Sequence, residues 1–245
     1  MNLDKIHKLQ QMGLGPVWVR RHRLSELGRG DDAAGSNVHA TETGVSIDGF
    51  DSVLAEMDWD ALEASIGECT RCGLCQGRKH TVPGIGDRAA RWLFVGEGPG
   101  RQEDLQGEPF VGPAGKLLDN MLRALTLARG QDTYIANVVK CRPVGADGRD
   151  RPPSADEIAA CMPYLRRQIA LIQPQVIVAL GKTAAVALLG VPAETSLASL
   201  RGEPRTFQGI PLVITYHPAY LLRQPADKGK AWRDLCLAKN IIDGH

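Results

Sequence analysis

Nowhere does the chain carry an apolar run near the length of about 20 residues that spans a bilayer, so no transmembrane helix is expected. Its N-terminus lacks the unbroken apolar stretch of a secretory signal, so the expected compartment is the cytoplasm. There, six cysteines serve as reduced thiols or metal ligands rather than disulfides. No internal repeat is present. Basic residues are missing altogether from positions 31–68, which hold ten acidic side chains. The near-neutral total of +1 therefore hides a basic remainder, because residues 69–245 carry 23 basic and 16 acidic side chains. That excess suits a nucleic-acid partner but is too modest to identify one. A P-loop is excluded as well: Gly181-Lys182-Thr183 would need a glycine where Val176 stands.

What is present is enough for one sizeable core: 245 residues, 43% apolar. Residues 1–50 read as a flexible N-terminal extension, with Gly28–Gly49 rich in Gly, Ala, Ser, Thr and Asp. A single domain is expected over 51–245, opening with a helix over Asp51–Ile66. Beyond Cys69, strands at Trp92–Val95, Thr133–Val138, Gln175–Leu180 and Pro211–Tyr216 alternate with helices. The helices are expected at Gly115–Ala128, Ser154–Ile172, Lys182–Leu189 and Lys228–Ile241, with a capping box at Ser154 and Glu157. Such alternation gives an α/β fold with a parallel sheet covered on both faces.

Six glycines and three prolines between Gly96 and Gly115 predict a long loop leaving the carboxyl end of a strand, where open α/β sheets bind ligands. Its glycines allow close backbone approach, Phe110 offers a stacking face, and Glu97, Glu103, Asp104 and Glu108 offer carboxylates. Asn137 sits near another strand end, where its amide can match the edge of one nucleobase or cap a loop. His217, before Pro218, is expected on a loop at the same sheet end, as a donor to an anionic leaving group or as a surface histidine. Leu221 and Leu222 beside Arg223 suit either a duplex-unstacking wedge or the core of a short helix. Cys69-x2-Cys72 is a ligand pair for zinc or iron–sulfur. With Cys141 and Cys161, the spacing fits four iron atoms better than zinc, though buried thiols would look the same. Cys75 is a possible competing ligand, and Cys236 reads as core.

Together these blocks resemble family 4 uracil-DNA glycosylases, the iron–sulfur branch of their superfamily. The carriers are Cys69-x2-Cys72, Gly96-Glu-Gly-Pro-Gly with Glu103-Asp104, Gly107-x-Pro-Phe-Val-Gly-Pro-Ala-Gly115, Asn137-Val-Val-Lys-Cys141-Arg-Pro143, Cys161-x-Pro-Tyr-Leu165 and His217-Pro-Ala219. The resemblance spans about Cys69 to Asp243. It implies a three-layer α/β/α fold with a four-stranded parallel central sheet and a base-excision-repair enzyme releasing uracil from single- and double-stranded DNA. A [4Fe-4S] cluster on Cys69, Cys72, Cys141 and Cys161 is implied, in a monomer of the bacterial cytosol or nucleoid. It also implies that Phe110 stacks on uracil, Asn137 reads its edge, His217 bonds its O2 side and Glu97 serves the attacking water. Glu103 would crowd the uracil C5, and Leu221 would be the wedge. Gly98 stands where family 1 enzymes carry a catalytic aspartate, leaving that role empty. The Cys141–Cys161 loop is longer than the resemblance leads one to expect, and it holds no histidine for covalent trapping. Competing readings are a noncatalytic iron–sulfur DNA-binding module and another nucleotide-handling α/β enzyme.

Overall fold

The structure, a computed structural model, describes residues 49–244. The expected extension, residues 1–50, lies outside them except for its last two positions. Where one helix was expected, two form: α1 (Gly49–Glu56) and α2 (Trp59–Glu68). Asp58 separates them by capping α2, its carboxylate accepting the Ala61 N–H at 2.9 Å. Phe50 already belongs to the fold. Its ring meets Tyr164 edge-on at 5.6 Å and carries the Arg71 guanidinium 3.6 Å above it.

The sheet has six strands: β1 (Ile85–Gly86), β2 (Trp92–Gly96), β3 (Thr133–Asn137), β4 (Val176–Leu180), β5 (Arg205–Phe207) and β6 (Ile210–Thr215). Their spatial order is β1-β3-β2-β4-β6-β5. The four middle strands are parallel, as expected, and the short outer strands β1 and β5 pair antiparallel. Every residue of β2, β3 and β4 is buried, which fits strands covered on both faces. Alternation then sorts the side chains: Leu93 and Val95 enter one core, Trp92 and Phe94 the other.

The first core lies under α1, α2, α5 (Ala155–Ile172), α6 (Lys182–Leu189) and α7 (Leu197–Leu200). The second lies under α4 (Pro113–Ala124), α8 (Pro218–Arg223) and α9 (Lys228–Asp243), completing three layers. The capping box at the start of α5 forms as expected: Glu157 N–H donates to Ser154 Oγ and Ser154 N–H donates to Glu157 Oε2.

The glycine-rich stretch departs from an uninterrupted loop. It contains α3 (Arg101–Gln106), entered at Gly100 and stopped by Gly107 in the left-handed conformation at φ 77°. Helix α4 then starts at Pro113, earlier than expected, with Gly112 before it. Because β2, β3, β4 and β6 run parallel, the segments following Gly96, Asn137, Leu180 and Thr215 all leave one end of the sheet.

Candidate active site

At that end, β2 and β3 place Gly96 opposite Asn137 in register. A Cβ on Gly96 would lie 2.4 Å from Asn137 Oδ1 and 2.5 Å from Phe110 Cζ. Glycine here lets an amide and an aromatic ring close over the same backbone. Asn137 is buried, and its Oδ1 has no hydrogen-bond partner. An unsatisfied buried acceptor costs about 1–3 kcal/mol, which a donor entering the cavity would offset. Asn137, Phe110, Glu97, Glu103, Asp150 and His217 line a cavity of about 230 Å³.

Phe110 and His217 approach with ring centroids 5.6 Å apart and planes 30° apart. His217 sits in the short connection after β6, as expected, and there serves as the N-cap of α8, its Nδ1 accepting the Ala219 N–H at 3.1 Å. Because Nδ1 accepts, the proton of the neutral ring resides on Nε2. Burial, reinforced by Arg223, pushes the His217 pKa down to about 4, so the ring is neutral near pH 7. Gly181, at φ 93°, is required for this packing, because a Cβ there would come within 2.9 Å of His217 Cβ.

Glu97 follows β2 and accepts a hydrogen bond from Thr183 Oγ1 in α6. Beside the first cavity runs a cleft of about 520 Å³, sharing Glu97, Asp150, Arg151 and His217 and adding Lys182 and Arg223. Its basic rim beside a carboxylate and a neutral imidazole suits an anionic chain entering the pocket. Gly98 lines the first cavity, and a Cβ there would stand 2.7 Å from Val139 Cγ2. Glu103 lines the first cavity, and its Oε1 accepts the Val111 and Gly112 amides at 3.0 and 3.2 Å. That oxygen organises the Phe110 loop.

Leu221 requires a correction. It is fully buried in the second core, while its neighbour Leu222 is 45% exposed. One turn of α8 points Leu221 inward, so it cannot present a wedge to a duplex in this conformation. Thr183 and Asp150 were not singled out from sequence. The tripeptide Gly181-Lys182-Thr183 fails as a P-loop, yet its threonine reaches Glu97. Asp150 sits in a short hairpin, held by Arg142 Nε at 2.6 Å, that no motif announces.

Near Asn137, Cys69, Cys72, Cys141 and Cys161 line one cavity, together with Cys75, Arg78 and Lys140. Cys236 lies elsewhere, on α9 against the second core. None of the described cysteines is in a disulfide. Burial pushes the Cys161 thiol up to about 11, against the opposing Lys140, and raises Cys72 and Cys141. Lys140 N–H donates to Cys161 Sγ at 3.3 Å and Arg78 Nη1 to Cys141 Sγ at 3.5 Å. Among the described residues no three His, Cys, Asp or Glu side chains are arranged around a single metal ion. Five thiols spread around one cavity, Cys75 among them, with N–H donors aimed at two of the sulfurs, fit a multinuclear cluster better than one ion.

The Cys cavity is wired to the pocket. The Lys140 ammonium is buried and donates to Asn137 O and Gln168 Oε1, both at 2.7 Å. The buried carboxylate of Asp104 in α3 accepts the Lys79 N–H at 2.8 Å, tying α3 to the segment that follows the cysteines.

Residues 83–238 match the family model described as the uracil DNA glycosylase superfamily. The chain is 44% identical over 186 residues to a type-4 uracil-DNA glycosylase of Thermotoga maritima, covering 75% of this chain and 94% of that one. It is 41% identical over 189 residues to the type-4 enzyme of Pyrobaculum aerophilum, covering 74% and 93%. A type-5 uracil-DNA glycosylase of the same archaeon is more distant, 30% identical over 156 residues and covering 57% and 66%. With its site at the expected end of the expected sheet, the chain belongs to the uracil DNA glycosylase superfamily, in its type-4 branch.

Proposed function

We propose that this protein removes uracil from DNA by hydrolysing its N-glycosidic bond, leaving an abasic site for base excision repair. One observation carries the reading: the buried Asn137 amide, with its unpaired Oδ1, beside Phe110 and His217 in one cavity. Uracil offers the missing partners. Its N3–H donates to Oδ1, its O4 accepts from the amide nitrogen, and its ring stacks on Phe110.

A duplex hides C1′, so the nucleotide leaves the stack before reaction. Unstacking costs a few kcal/mol, least in mismatches and single strands, which favours U·G over U·A. Breaking C1′–N1 leaves the electron pair on the base, and negative charge collects at N1 and O2. His217, neutral with its proton on Nε2, stabilises that charge by hydrogen bonding and needs no prior protonation. Glu97, oriented by Thr183, positions the water whose oxygen bonds C1′ and takes up the proton released. Its charge also stabilises the cationic sugar. With glycine at 98, His217 and Glu97 share this work. Glu103 shapes the Phe110 loop and forms part of the wall that excludes a larger base.

Cys69, Cys72, Cys141 and Cys161 would hold a [4Fe-4S] cluster. When bound, it ties the Cys69 segment to the Cys141–Cys161 loop. No redox change is required for hydrolysis, so the role is structural. Among the described residues no helix is long and apolar enough to cross a membrane, and we place the protein in the cytoplasm as a monomer acting on single- and double-stranded DNA. Incubating the full chain with uracil-containing oligonucleotides of both kinds should release free uracil and leave abasic strands, with no release from thymine controls. Tight DNA binding without release would instead favour the noncatalytic module.

A further inference from the structure

Phe110 is held in a conformation that its own backbone disfavours. Its φ is 56°, in the left-handed region that bulky residues rarely enter. Gly115 leaves no slack behind it, since a Cβ there would overlap Phe110 O at 1.6 Å. Two charged side chains grip the kink from opposite electrical sides. The Glu103 carboxylate takes the amides of Val111 and Gly112. The Arg129 guanidinium donates to the carbonyls of Pro109 at 2.8 Å and Phe110 at 2.9 Å. Asp119 on α4 anchors that guanidinium through Nε at 3.1 Å and Nη2 at 2.8 Å. Arg129 lies in the turn between α4 and β3, follows Phe110 by 19 residues, and does not line the base cavity.

We propose that Arg129, anchored by Asp119, is a positioning residue for base recognition: it fixes the face that Phe110 presents to the flipped base. A cation on the carbonyls and an anion on the amides neutralise the dipoles the kink exposes. The ring is thereby kept over Gly96, beside Asn137. Two carbonyls and one carboxylate share a single planar fork, a geometry that a lysine ammonium cannot reproduce. The proposal rests on the stacking role given to Phe110.

The test uses the full chain and three readouts: inhibition by free uracil, single-turnover release from a uracil oligonucleotide, and affinity for DNA carrying a tetrahydrofuran abasic analogue. Arg129→Ala should weaken both uracil inhibition and release about tenfold to a hundredfold, the scale of lost charged hydrogen bonds. Affinity for the abasic analogue, which has no base to stack, should stay at the wild-type value. Arg129→Lys should remain impaired. In a Phe110→Ala background, adding Arg129→Ala should cost less than about twofold more, because coupled residues are not additive. If Arg129→Ala does not fold, Asp119→Asn should lower uracil inhibition in the same selective way, again only when Phe110 is present. Equal losses with and without Phe110, or unchanged uracil inhibition in Arg129→Ala or Asp119→Asn, would overturn the proposal. Failure of the wild-type chain to bind uracil at all would instead remove the reading beneath it.

Discussion

His217 is the residue whose chemistry its neighbours define most fully. A folded pKa near 4 against the ordinary 6.5 means that the unfolded chain binds more protons between those values. Stability from this group is therefore fully present above about pH 6.5 and is lost as pH falls toward 4. The single-turnover rate should show no histidine step between about pH 6 and 8, since the imidazole is already neutral there. A rate rising with protonation near pH 6.5 would contradict the neutral-donor role. His217→Ala should slow release about a hundredfold to a thousandfold, by analogy with removing an oxyanion-hole donor. Asn137, Phe110 and His217 were legible in the sequence because each has a distinctive neighbourhood: an apolar strand run leading into Asn137-Val-Val-Lys, a glycine–proline bracket around Phe110, and a proline after His217. Thr183 and Arg129 were not. They act across 86 and 19–20 residues of chain through hydrogen bonds, and no local pattern encodes such partners.

Elements were read more accurately in the sheet than around it. The central strands are continuous apolar runs, which buried parallel strands require, and the outer strands are too short to show a period. Helix α3 was hidden because Gly100 and Gly107 look like loop punctuation, whereas here they cap a six-residue helix. Helix α8 resolves the two leucines by rotation, Leu221 into the core and Leu222 into solvent. Leu221→Ala should cost about 2–5 kcal/mol in an equilibrium unfolding experiment, as a buried leucine truncated to alanine does. Leu222→Ala should leave stability nearly unchanged. If Leu222 enters the duplex, that variant should lose more activity on double-stranded than on single-stranded uracil DNA. Equal loss on both would remove the wedge role from this helix.

At the scale of the whole molecule, the Cys cavity and the base pocket share their supports. Lys140 reaches the Asn137 carbonyl, and Asp104 holds the segment after the cysteines. The purified protein should be brown, with roughly four irons per chain if four cysteines hold the cluster. Cys161→Ala should lose the colour and lower the thermal midpoint, and stoichiometric zinc without iron after anaerobic purification would contradict the cluster. The central claim is narrower: the Asn137 amide selects uracil inside this pocket. It is tested most directly by single-turnover uracil release from one oligonucleotide, comparing wild type with Asn137→Ala, and by binding of both to the abasic analogue. The expected result is a loss of about 1–3 kcal/mol of transition-state stabilisation per missing hydrogen bond, with abasic binding intact. Release by Asn137→Ala at the wild-type rate would contradict it.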